Sequence, residues 1–330
     1  MTSLSIALFG GYQVALSGEP VTSFESNKVR ALLAYLVVES DRAHPRATLA
    51  TLLWPEHPEA AARTNLRHVL RQLRLTIPDP VDAPPFWLTS QQTLQLNRAA
   101  NVNLDVNEFA ALLAQSDECE ACLGEPHRCP ACVERYHKAA TLYQGDFLAG
   151  FFVQESAAFE EWVVLQREHY HRQALELLCT LADQHESQGN HERARHFAWR
   201  QIELEPWREE AHRQVMRLLA QSGQRGAALA QYERCRTILA NELGVEPDPE
   251  TTALYEQIRD GTFGAMPTRP DDQPAQNEPH ADARPALQPV SLIPQQEWSE
   301  VPAIPYFYGR QAELAQLDHW LVGERCRLVA

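Results

Sequence analysis

Apolar residues keep two different rhythms over the first hundred positions. Across residues 4–24 they alternate, with Leu4, Ile6 and Leu8, then Tyr12, Val14 and Leu16, interrupted by Gly10-Gly11 and Gly18. A period of two broken by glycines predicts short strands joined by tight turns. From Ser26 the period lengthens. Val29, Leu32, Leu33 and Leu36 form one apolar stripe of a helix, with Ser26 or Asn27 placed to cap it. A second helix is predicted over 46–53, then a turn on Trp54-Pro55 and Pro58, then a third helix over 59–76. The apolar face of the third, Leu66, Val69, Leu70, Leu73 and Ile77, is expected to pack on Leu32, Leu33, Leu36 and Leu53. Pro78, Pro80, Pro84 and Pro85 end regular structure, and FWLTSQQTLQLN (86–97) reads as two strands around a polar turn at 90–93.

Strands, three helices and a hairpin, in that order, predict a winged helix (α+β) over residues 1–100. From Asp105 the pattern is helical nearly throughout. Gly189 and Gly223 are 34 residues apart, as are Ala194 and Ala228, and QGNHERAR and SGQRGAAL occupy the same turn-then-helix phase. A 34-residue period of paired helices is the tetratricopeptide signature. The fold expected is therefore mainly α, a winged helix followed by an all-α, TPR-like helical-repeat domain over 101–260. Residues 261–305 hold nine of the 22 prolines and few large apolar residues, a composition expected of a disordered linker. Order is expected to resume at 306–330.

Charge changes the picture. The chain carries −15 overall, which argues against nucleic acid if spread evenly, but it is not. Residues 1–100 hold nine Lys/Arg against eight Asp/Glu, and the remainder 20 against 36. Four of the nine, Arg63, Arg67, Arg71 and Arg74, lie on the third helix. Its polar face presents Thr64, Arg67, His68 and Arg71, with Asn65 beside them and Arg63 and Arg74 flanking. An arginine fork suits guanine O6/N7 and phosphate oxygens alike. Arg63 and Arg74 are expected on phosphates; Thr64, Arg67, His68 and Arg71 are expected to face the groove. The wing tip holds no arginine, so only weak backbone contact is expected there. The alternative is a solvated basic face on a helical scaffold or adaptor, whose winged helix mediates protein contacts.

No apolar run approaches the 18 residues of a membrane span, and the N-terminus lacks a basic region and cleavage site. With seven cysteines, an odd number, this points to the cytoplasm and no membrane partner. Four cysteines cluster as Cys119-x2-Cys122-x6-Cys129-x2-Cys132, with His127 inside as a possible substitute. Two Cys-x-x-Cys pairs provide the four thiolates of a structural, tetrahedral zinc site. A redox dithiol pair and idle thiols remain alternatives. Catalysis finds no support: no G-x-S-x-G, H-E-x-x-H or P-loop occurs, and His169 and His171 read as solvated helix residues.

The first 100 residues resemble the OmpR-type winged helix. LYQGDFLAGF (142–151), FEEWVVLQRE (159–168) and LANELGVEPDPET (239–251) resemble the bacterial transcriptional activator domain. Together, over about residues 1–260, they are similar to the SARP/AfsR-like bacterial regulators. The resemblance implies a transcriptional activator that reads double-stranded promoter DNA, often at direct repeats, with a possible dimer on DNA. It also implies that the helical domain contacts RNA polymerase or a sigma factor. YGRQAELAQLDHWL (308–321) is similar to the segment that opens the nucleotide-binding domain of STAND-type ATPases. Residues 306–330 are thus expected to be the start of a truncated domain of that kind. ATP would be bound only through the part missing from this chain.

Overall fold

The computed structural model describes residues 2–117, 119 and 129–263. The expected linker beyond Phe263 and the segment resembling STAND ATPases lie outside them.

The chain opens with strands β1 (Leu4–Ala7), β2 (Gln13–Leu16) and β3 (Glu19–Pro20). They form antiparallel hairpins in which Leu4 pairs with Leu16 and Ile6 with Val14. A strand not foreseen in the sequence, β7 (Val102–Leu104), adds to the other edge of β1 in parallel, giving the order β3-β2-β1-β7. Three helices follow the first hairpins: α1 (Asn27–Val38), α2 (Arg46–Leu53) and α3 (Glu59–Thr76). The boundaries of α2 and α3 are those the periodicity predicts, with Trp54-Pro55 and Pro58 between them. Ser26 takes the cap position of α1 with extended backbone, but its side chain makes no cap bond. The Asn27 amide instead donates to the carbonyl of Phe152. A second sheet pairs the hairpin β5 (Trp87–Thr89) and β6 (Thr93–Leu96) with β4 (His44–Pro45), in the order β4-β6-β5.

The rest is helical: α4 (Asp105–Asp117), α5 (Pro130–Leu142), the 31-residue α6 (Ala157–Ser187), α7 (His191–Leu204), α8 (Glu209–Gln221), α9 (Arg225–Glu242) and α10 (Pro249–Asp260). Gly189 and Gly223 end α6 and α8 with φ of 73° and 75°, the left-handed region that suits glycine after a helix. Ala194 and Ala228, one turn into α7 and α9, are fully buried. The 34-residue period therefore marks equivalent turns and equivalent close-packed positions. The fold is a winged helix joined to a helical domain.

One large apolar core runs from Leu4 through the winged helix and α4–α6 to Phe197 on α7. A second, smaller core joins Ala198 and Ile202 of α7 to Val215, Met216, Tyr232, Leu254 and Ile258 of α8–α10. The first core crosses the junction at residue 100 without a break. At that junction Asp105 Oδ2 accepts the backbone N–H groups of Leu8 and Phe9 at 2.8 and 2.9 Å, and Oδ1 accepts that of Val106. Burial raises the Asp105 carboxyl above its usual range. Leu148 N–H donates to the Leu8 carbonyl at 2.7 Å. Lys28 on α1 donates to the carbonyls of Leu53 and Glu155 and to the Ser156 hydroxyl, which itself donates to Leu53. Burial holds the Lys28 ammonium below its usual range. Trp162 on α6 donates to Glu39 at 3.0 Å and packs edge-on against Tyr35. These bonds fix the three-helix unit on α6.

Candidate nucleic-acid interface and cysteine cluster

The amphipathic register of α3 positions its polar side chains. Ala62, Leu66, Val69, Leu70 and Leu73 are buried, which turns Arg63, Thr64, Arg67, His68, Arg71 and Arg74 outwards and leaves Asn65 half-buried. Most of these groups are held by local bonds. Arg63 pairs with Glu59 at 2.5 Å, one turn earlier. Arg67 donates to the Thr64 hydroxyl at 3.0 Å, and Thr64 donates to the Ala60 carbonyl. His68 Nε2 lies 2.9 Å from Glu25. Arg74 donates to the hydroxyl of Thr89 on the hairpin.

Arg46, which the sequence reading left out, joins this set. It opens α2, and its guanidinium donates twice to the Ser90 carbonyl, at 3.0 and 3.2 Å. The hairpin tip is itself ordered by Ser90, whose hydroxyl accepts the N–H groups of Gln92 and Thr93. Arg46, Arg67, Arg71 and Arg74 line a concavity of about 350 Å³ together with Leu70 and Leu75. An arginine thus stands at the wing tip after all, supplied by α2. The signal for it was faint, a lone arginine after Pro45 and outside the arginine run.

Four guanidiniums around one hollow repel one another unless an anion or water stands between them. Hydrogen bonds to Thr64, Ser90 and Thr89 hold three of them in place in advance, which lowers the ordering cost of binding. Spaced backbone anions are the matching ligand, because each arginine offers a planar fork to phosphate oxygens.

The second candidate site lies between α4 and α5. The sulfurs of Cys119, Cys129 and Cys132 all lie within 4.8 Å of one another. A zinc bound by thiolates at about 2.3 Å holds its sulfurs roughly 3.8 Å apart, so a small contraction suits a metal. Cys132 is fully buried in the first turn of α5, 3.8 Å from the Ser116 carbonyl and 3.5 Å from an Arg135 nitrogen. Three of the four expected ligands converge and are able to hold a metal. Cys122 and His127 lie outside the described residues.

Of the two histidines read as solvated, His169 is exposed and His171 is not. His171 is wedged between Glu205 at 3.3 Å and Asp146 at 3.9 Å. Among the described residues no helix is long and apolar enough to cross a membrane.

Residues 104–259 match the family described as bacterial transcriptional activator domain. Just under half of the chain is thus similar to the activator domain found in SARP-like transcriptional regulators. The match begins at Leu104, so it takes in Asp105 and α4–α10. The fold is similar to that of the Mycobacterium tuberculosis EmbR structure, solved in complex with a low-affinity phosphopeptide. The TM-score is 0.57 at 22% identity, over 79% of this chain and 66% of that one. About a third of EmbR is therefore unmatched, and the likeness is one of fold. No curated protein matches the chain's sequence.

Proposed function

We propose that this chain binds double-stranded promoter DNA with α3 in the major groove and activates transcription through its helical domain. The observation that carries the reading is the arginine-lined hollow between α3, the start of α2 and the hairpin tip. Arg67 and Arg71, with Thr64, Asn65 and His68, face the base edges. Arg46, Arg63 and Arg74 grip phosphates on either side. Binding at direct repeats would place two copies side by side as a dimer on DNA. The 1–100 segment is the reader, and 101–260, a TPR-like array, contacts RNA polymerase or a sigma factor. Such a regulator works in the cytoplasm.

Zinc is the metal we assign to Cys119, Cys129 and Cys132, with Cys122 or His127 as the fourth ligand. Four protein ligands close a tetrahedral site, so the ion is structural and ties α4 to α5. Protein purified without chelator should carry about one zinc per chain, and less than half an equivalent would sink the assignment. For DNA, fragments of the source genome captured by the chain should share a sequence element. Arg46→Ala should weaken binding to every captured fragment alike, as a phosphate contact does. Capture of unrelated fragments, equally well by the Arg67→Ala/Arg71→Ala chain, would defeat the reading.

A further inference from the structure

Glu25 is an acidic residue on the basic face. It lies in the segment between β3 and α1, and its Oε1 meets His68 Nε2 at 2.9 Å. Both side chains are about half exposed, at 48% and 58%. A carboxylate beside a DNA-binding helix repels phosphates, so its presence there weakens binding to every sequence alike. As a surface ion pair it contributes only about 0–1 kcal/mol to stability. Neither effect accounts for its place on this face.

The hydrogen-bond chemistry does. An ionised carboxylate only accepts, so His68 Nε2 must carry the proton. In the neutral imidazole the other nitrogen, Nδ1, is then an acceptor. Nδ1 has no hydrogen-bond partner among the described residues. Arg67 and Arg71, the exposed long side chains beside it, only donate, while the amides of Asn65 and Gln72 are half-buried. Donors of that kind select guanine or phosphate. An acceptor selects the opposite feature, an exocyclic amine.

The geometry points to Glu25 as a specificity-determining residue that holds His68 in the Nε2–H tautomer, so that Nδ1 accepts the N4 amine of cytosine or the N6 amine of adenine. This rests on the reading of α3 as a major-groove helix. Each base pair shows one such amine in the major groove, on C in one case and on A in the other. The predicted preference is therefore for C or A over G or T at one strand position. Glu25 touches no base itself and acts by positioning His68.

The test is selection from a randomised duplex library at pH 8 with the 330-residue chain, followed by affinity measurements on the selected site and its single-base variants. The wild type should prefer the amine-bearing base at one position by roughly tenfold. Glu25→Gln removes the charge and the constraint on the tautomer, since its amide can donate as well as accept. It should tighten binding to all duplexes several-fold and shrink the single-position preference to within about twofold. His68→Ala should lose the same preference without the general tightening. If Glu25→Gln tightens all duplexes and leaves the preference intact, Glu25 is only a charge and the inference is overturned. A wild-type chain that binds no duplex at all defeats the DNA reading itself, a separate and distinguishable failure.

Discussion

The two apolar cores divide the molecule differently from the way its charge does. Charge changes sign near residue 100, between a slightly basic segment and a strongly acidic one. The first core ignores that line and runs from β1 to Phe197. The second core, across α7–α10, is smaller and shares only α7 with the first. The three helices α1–α3 thus share one core with α6, and the part with a core of its own is α8–α10 with one face of α7.

Deleting a buried ring separates the cores most sharply. Phe147 is fully buried in the first core, packed against Trp162 and Tyr170. Phe147→Ala should cost about 4 kcal/mol and lower the denaturation midpoint reported by Trp54, Trp87 and Trp162. Ile258→Ala, in the second core, should cost about 3 kcal/mol and act mainly on the signal of Trp199. Equal shifts of all the tryptophan signals by both variants would mean one cooperative unit.

Next in size is the junction carboxylate. Asp105→Ala leaves the N–H groups of Leu8, Phe9 and Val106 without their acceptor and should cost about 2–3 kcal/mol. A chemical-denaturation loss below about 0.5 kcal/mol would show that water replaces it well.

Acid should also tell the regions apart. Burial holds the imidazoles of His137, His185 and His212 below the usual 6.5. His212 is buried, with Nε2 on the Pro206 carbonyl and Nδ1 on the Gln231 amide. The unfolded chain takes up protons that these folded sites refuse. Their contribution is complete above about pH 6.5 and is lost as pH falls through each depressed value. Asp105 runs the other way. Its carboxyl is raised, so its contribution is present below 3.8 and lost as pH rises through the raised value. Between pH 7.5 and 5 both regions should lose stability, the first core through His137 and His185 and the second through His212, and His212→Gln should remove much of the drift of the Trp199 signal alone. Identical pH profiles for the variant and the parent would contradict this.

The smallest effect expected is at the Glu59–Arg63 pair. It is exposed and one helical turn apart, so Glu59→Gln should change the melting free energy by no more than about 0.5 kcal/mol. It should instead free Arg63 for DNA and tighten duplex binding slightly.

Local pattern made most of the winged helix legible. α2 and α3 announce themselves by period and by the prolines between them, because their apolar faces are set within each helix. β4 and β7 did not, since they have two and three residues and pair with segments far along the chain. The arginines of α3 were readable from helical spacing. Arg46 and Glu25 were not, because their roles come from Ser90 and His68, 44 and 43 residues away. The cysteine spacing foretold convergence, and three sulfurs do converge. His171 was misread because its two acidic neighbours come from outside its own helix.

The central claim, that the arginine face of α3 meets duplex DNA, is tested most directly by fluorescence-anisotropy titration of a captured genomic duplex across salt. The logarithm of the binding constant should fall linearly with that of salt, and Arg67→Ala/Arg71→Ala should weaken binding at 50 mM salt by roughly tenfold to a hundredfold. Affinity that is flat with salt, or unchanged in that variant, would contradict the account.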